Sequence, residues 1–431
     1  MIDAAGRRPH ADAGGEHRDA GHDAAAQQRR GRATDAQRRH TGRDELRVFA
    51  GPPEHPGGDG AREAGDERDG RGACTHRHIF YHARVRFAVT ALGVVSPLGV
   101  GEEAFFAALD AGTSAVATDG DGVRSARVGE FGAKQHIAPG SLRRLPRLSQ
   151  MAIVAGKQAL LAGAPPYDPT RTGVVLGTGL GTLEETIAFM RGYLDGGPEA
   201  ASPLLFPSSV MNAAAGQLAL ECKLRGVNST VNHRDASPLS ALAMACDLLE
   251  LGRADALVVG AVDELSKPAL AGYQKLGAIA AGLVPGEGAA MMLVEREADA
   301  RKRGANIRAW VNGRGESSDD RPRVGWGGAA SWPEAARAVR EAAGGRHIDH
   351  VVSGANGTRY DAREIAAVSD GLGATPPSVT PIAQIGESFS SGMQRLLCAV
   401  FLLERRGAER VLVPSFAQGG ANVALVLERA G

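Results

Sequence analysis

Lysine is absent before Lys134, and large apolar side chains are nearly absent from the first 84 residues. Before Tyr81 only Met1, Ile2, Leu46, Val48, Phe49, Ile79 and Phe80 belong to that class. Such a stretch cannot bury enough apolar surface to offset the entropy of ordering it. Arg without Lys, mixed with Ala, Gly and Asp, is also what GC-rich DNA yields in almost any reading frame. Residues 1–84 therefore read as a disordered or non-native extension, with the folded protein starting near Val85. Within it, Cys74, His76, His78 and His82 are ligand types that suit zinc. No second ligand pair or scaffold accompanies them, so the cluster reads as chance and no metal is expected.

Other absences narrow the function. The formal net charge is zero, which gives no electrostatic footprint for a polyanion such as nucleic acid. No apolar run is long enough to span a membrane, and the start lacks the charged-then-apolar pattern of a secretory signal. The four cysteines, at 74, 222, 246 and 398, are too scattered for a disulfide framework. These features predict a soluble cytoplasmic protein. Aromatics are scarce while Ala and Gly abound, which suits closely packed α/β layers.

From residue 85 onward, buried-strand and helix signals alternate. Strands are expected at 85–96, 172–176, 228–232, 254–262, 288–295, 307–313 and 350–353. A closing hairpin is expected from 410–414 with 422–428. Helices are expected at 102–109, 151–161, 238–251, 333–343 and 388–405. The run Gly177–Gly181 (GTGLG) follows a strand as a dinucleotide loop does, but Thr182 stands where its third glycine belongs. The pattern is incomplete, and a tight strand-to-helix turn is the expectation.

Several segments lie in a telling order: VTALGVVSPLG (89–99), TGVVLGTGLG (172–181) and PLLFPSSVMNAAAGQLALECKLRGVNSTVN (203–232). ADALVVGAVDELS (254–266), LVPGEGAAMMLVEREADARKRGA (283–305) and PSFAQGGANVALVLE (414–428) follow. By these, residues 86–428 resemble the type II β-ketoacyl-acyl carrier protein synthases, the elongating condensing enzymes. The resemblance implies a thiolase-like fold, two similar α/β halves in five layers (αβαβα), usually dimeric. The halves are expected at 85–295 and 296–431.

The chemistry of that family needs a cysteine thiolate at a strand-to-helix elbow, two histidines that stabilise an enolate, and a supporting lysine. The resemblance puts the cysteine position at Asp235, in Asn232-His233-Arg234-Asp235-Ala236-Ser237-Pro238. The first histidine position is Asn356, in Gly354-Ala355-Asn356-Gly357-Thr358, and the second is Glu387, after Gly386. The lysine position is Ile382, and the gating phenylalanine of the closing glycine loop is Gln418. A carboxylate accepts an acyl group poorly, an amide carries no proton, and a carboxylate repels an enolate. Asp235 instead suits the start of a buried helix, with Ser237 and Pro238 as N-cap and first helical residue. After residue 85 the histidines are His136, His233, His347 and His350, and the cysteines are Cys222, Cys246 and Cys398. No rearranged triad can be assembled from them. By strand alternation His233 is expected on the same face as Asp235; His233, Phe416 and Gln418 are the candidates for a substrate channel. Between 278 and 284 the chain is shorter than its relatives, which predicts a missing piece of wall at the substrate entrance.

The expected function is that of a catalytically degenerate homologue, a chain-length-factor-like partner of an active ketosynthase in fatty acid, polyketide or aryl polyene biosynthesis. Its partners would be that ketosynthase, in a heterodimer, and an acyl carrier protein. No cofactor is expected beyond the phosphopantetheine that the carrier protein brings. Two alternatives stand beside it. One is an active 3-oxoacyl-[acyl-carrier-protein] synthase or malonyl decarboxylase with an unusual site. The other is a scaffold that holds acyl carrier proteins.

Overall fold

The computed structural model describes residues 85–120, 122–163, 168–319 and 332–431. The Cys74, His76, His78 and His82 group and the rest of residues 1–84 lie outside them. Strands β1 to β13 span Phe87–Ser96, Gly99–Val100, Val116–Thr118, Arg124–Ala126, Thr172–Gly177, Asn228–Val231, Ala256–Asp263, Gly288–Arg296, Ala309–Ser318, His350–Val352, Ser378–Val379, Arg410–Phe416 and Ala421–Arg429. The helices of nine residues or more are labelled α1 (Glu102–Asp110), α2 (Arg147–Ala162), α3 (Leu183–Gly196), α4 (Ala213–Glu221), α5 (Ser237–Glu250), α6 (Lys267–Lys275), α7 (Pro333–Ala343), α8 (Tyr360–Leu372) and α9 (Ser391–Arg405).

Ten strands follow one path, β11-β10-β12-β13-β9-β1-β8-β7-β5-β6. The order is palindromic in kind. In each half the inner strand of a parallel edge pair also runs parallel to its next neighbour, as β5 does with β6 and β7, and β10 with β11 and β12. Antiparallel strands then lead to the middle, where β1 meets β9. Strands β1 and β7 are buried along their whole length, because helices cover both faces.

Packing gives five layers. Helices α2 and α4 cover one outer face, through Met151, Ile153 and Leu218. Helices α7 and α8 cover the other, through Ala338, Val339 and Val368. Between the half-sheets lie α5 and α9, whose Leu239, Leu242, Leu396 and Phe401 belong to the largest apolar cluster. This is the thiolase-like architecture that the resemblance implied. One glycine is needed for the packing: a Cβ on Gly93 of β1 would lie 2.0 Å from the carbonyl oxygen of Ala155 on α2. Among the described residues no helix is long and apolar enough to cross a membrane.

Each expected strand and helix is present, with α7 at its expected ends, whereas α3, α4, α6 and α8 were not among the expectations. At α5 the first helical residue is Ser237 and the cap is Ala236, one position earlier than expected. A short 3₁₀ turn, Arg234–Ala236, precedes the helix and takes up the difference.

Candidate functional site

The entrances to the two central helices lie side by side, and each carries an acid. At the first, β6 ends at Val231 and the chain turns through Arg234, whose φ is 52°. Ser237 clamps this elbow: its Oγ accepts from the His233 N–H at 2.9 Å and donates to the Arg234 carbonyl at 2.6 Å. The Asp235 carbonyl accepts from Ser415 Oγ at 2.7 Å. Its carboxylate accepts from the backbone N–H of Gln418, yet burial outweighs that bond and holds its pKa above the ordinary value.

At the second entrance Glu387 is buried, 8% exposed. Its backbone pairs with Val284 and Gly286, each at 2.7 Å. Its Oε1 accepts from Ser391 Oγ at 3.0 Å, and the Asn356 side chain donates to the same carboxyl. The Asn356 oxygen is engaged elsewhere, accepting from Thr358 Oγ1 at 2.7 Å. Burial first, and then the charge of Asp235, pushes Glu387 up to about 8, which favours its protonated form at neutral pH. Asp235, Asn356 and Glu387, far apart in sequence, thus form one group.

Their counter-charge is Arg395, buried on α9, which lowers the pKa of both Asp235 and Glu387. Arg395 donates to the carbonyls of Pro414 and Val352, while its Nε has no partner. It also faces Glu364, raised by burial, whose carboxyl accepts from Ser353, Tyr360 and the Gly354 N–H. A further acid, Asp263 at the end of β7, accepts from Thr178 Oγ1 at 2.9 Å and from the N–H groups of Gly179 at 3.0 Å and Leu180 at 2.8 Å. Burial nonetheless pushes it to about 6. This carboxylate occupies the donors of the Gly177–Gly181 turn, the place where a nucleotide phosphate would sit. A Cβ on Gly179 would lie 2.3 Å from the Phe389 side chain, which makes this a packing turn.

Other expected site residues stand differently. Strand geometry stops at Val231, so His233 does not alternate onto the face of Asp235. It is exposed, with Nδ1 3.1 Å from Ser240 Oγ. Phe416 is buried on the opposite side of β12 from Ser415. It packs in the outer cluster, 5.8 Å from the Trp332 ring, and lines no channel beside Asp235. Gln418 is at the site, through its backbone N–H. Ile382 is buried in the central cluster. The shortened stretch after α6 does not open a gap. Ala278 and Leu283 are buried with Tyr273, and a Cβ on Gly282 would lie 2.9 Å from the Gly357 oxygen. The short turn draws in over the loop that carries Asn356. Cys246 and Cys398 are buried in α5 and α9, where burial pushes each thiol up to about 12; Cys222 ends α4, pushed to about 11. None is an activated nucleophile.

Residues 85–300 match the model of the β-ketoacyl synthase N-terminal domain. The chain belongs to the β-ketoacyl synthase family. It is similar to 3-oxoacyl-[acyl-carrier-protein] synthase 2 of Vibrio cholerae, with 31% identity over 66% of this chain and 75% of that one. The protein of the same name from Rhizobium meliloti is 32% identical over 54% of this chain, which spans 64% of that relative's length. Among solved structures, the ishigamide ketosynthase/chain length factor superposes with a TM-score of 0.73 at 25% identity, over 81% of this chain and all of that one. Within this family frame Arg395, Glu364, Asp263 and Tyr273 are residues that sequence reasoning passed over. Arg395 carried a signal, a charge inside an otherwise apolar helix. Asp263 carried another, an acid closing an all-apolar strand.

Proposed function

We propose that this chain is a non-condensing subunit that partners an active ketosynthase and shapes acyl-chain growth, in the manner of a chain length factor. The supporting observation is the chemistry at the elbow. Asn356 bonds to the buried Glu387, and Asp235 acts on Glu387 through its charge, with Arg395 as the counter-charge of both acids; the three stand at the positions that the family resemblance assigns to cysteine and two histidines. An acyl-aspartyl anhydride lies uphill from a thioester, and among the described residues no imidazole stands at either histidine position to polarise a malonyl carbonyl. Likeness to a ketosynthase/chain length factor is in keeping with this reading.

The surface is also suited to a partner. β6 ends the sheet path with one edge open. The excursion between β5 and β6 exposes Met190, Leu194, Leu204 and Phe206, the kind of patch that marks an interface. An obligate interface of this type buries over ~2,000 Å². An acyl carrier protein would then deliver its chain to the ketosynthase of the pair.

Incubation with an acyl-carrier-protein thioester followed by intact-protein mass spectrometry tests the reading; no acyl adduct is expected. An adduct within residues 228–240 would overturn it. Asp235→Cys alone is expected to leave condensation absent, because Asn356 and Glu387 remain. A second reading, acid–base chemistry on an acyl thioester, draws on the protonated state of Glu387. Release of carbon dioxide from malonyl thioester, lost in Glu387→Gln, would favour it.

A further inference from the structure

The open edge of the sheet carries charge of one sign at both ends. Among the described residues, two that are not glycine hold left-handed backbone, Lys223 at φ 57° and Arg234 at φ 52°. They bracket β6. An L side chain crowds its own carbonyl at these angles, so the fold keeps strain at each end of the edge. Arg225, between Lys223 and the strand, is exposed, as are Lys223, His233 and Arg234. Of the acids nearby, Glu221 pairs with Lys157 at 2.8 Å and Asp247 with Arg314, while Asp235 acts on Arg234 and Glu316 on His233.

The spacing matters as much as the sign. Arg225 lies three residues before β6 and Arg234 three after it. Suppose a second copy adds to this edge antiparallel, about a two-fold axis at the strand centre. Asn228 then faces the copy's Val231, and Ser229 faces its Thr230. Continued past both strand ends, the same register sets Arg234 opposite the copy's Arg225, with Lys223 two residues further along. Symmetry repeats that meeting at the other end. Like charges opposed across a strand pair destabilise it, and such repulsion is how an interface rejects a wrong partner.

We propose that the β6 edge is charged to disfavour pairing with a second copy of this chain, and to accept a different protein whose edge strand has acidic side chains beyond both ends. This rests on the partner-subunit reading and adds the chemistry of the partner's matching surface.

Charge swaps on the full chain test it without the partner in hand. Light scattering after size exclusion would follow self-association at low and at high salt. The wild type is expected to be monomeric at low salt, and to self-associate more as salt screens the repulsion. Arg234→Glu is expected to tighten self-association at low salt about tenfold, and so is the pair Lys223→Glu and Arg225→Glu. Combining all three restores like charges and is expected to cancel the gain, which a merely structural effect would not do. Circular dichroism checks folding. If one swap fails to fold, the other swap and the salt response of the wild type still decide. A wild-type dimer at low salt that is no weaker than the swapped variants would overturn the proposal, and so would folded swaps that stay monomeric. Failure to bind a co-expressed ketosynthase, with the swaps behaving as expected, would sink the partner-subunit reading and leave the self-exclusion standing.

Discussion

The two central helices, α5 and α9, begin from equivalent places in the two halves, and an acid stands just ahead of each. A helix N-terminus favours a negative charge, so both acids should ionise easily. Both are instead held above their ordinary pKa, burial being the first cause in each case. Their hydrogen-bond donors differ in kind. Asp235 accepts from a main-chain N–H, that of Gln418. Glu387 accepts from two side chains, Ser391 and Asn356. Desolvation therefore outweighs the helix field at both ends. Only at Glu387 can the opposing donors be removed one at a time by substitution.

The largest expected effect comes from removing the charge that both acids share. Arg395→Leu should cost about 3–5 kcal/mol of stability, as for one broken partner of a buried ionic group, read as a fall in Tm by calorimetry. A loss below about 1 kcal/mol would mean that the acids around it are all neutral and need no cation. Next comes Glu387→Gln, read against pH. The folded acid titrates near 8 and the unfolded one near 4.5. The unfolded chain thus releases this proton first, and stability falls as pH rises from 4.5 to about 8, then levels. The slope should approach about 1.4 kcal/mol per pH unit at most, and the pair with Asp235 titrates jointly. Glu387→Gln should flatten that slope, measured by urea unfolding at several pH values; an unchanged slope would assign it to another acid raised by burial, such as Asp263. The smallest effect is that of Ser391→Ala, about 1 kcal/mol for one lost hydrogen bond. Because the missing bond favoured the ionised form, Glu387 should then titrate still higher, which carboxyl-resolved NMR can follow.

What could be read in advance divides along a physical line. Strands such as 254–262 and helices such as 333–343 are declared by apolar period and by Pro at a helix start. The group Asp235, Asn356 and Glu387 came through resemblance, and the fold does bring the three together. What escaped depends on the path of the backbone. The 3₁₀ turn at Arg234–Ala236 breaks the alternation that would have turned His233 inward. Phe416 and Ser415 face opposite ways, and which one faces Asp235 depends on where β12 lies against the elbow. Gln418 acts through its N–H, which no side-chain pattern reveals. The shorter stretch after α6 suggested an opening because lost residues were equated with lost cover, whereas the remaining turn packs down on Gly357.

Strand β1 has a consequence for the order in which this chain can mature. Phe87 pairs with Arg296 on one side and with Val311 on the other. During synthesis this strand leaves the ribosome long before either neighbour exists. Until both arrive it is an uncovered apolar segment, FAVTALGVVS, of the sort that chaperones bind and that aggregates nucleate on. Neither half can close its sheet early, so assembly waits on contacts of very long sequence separation and should be slow.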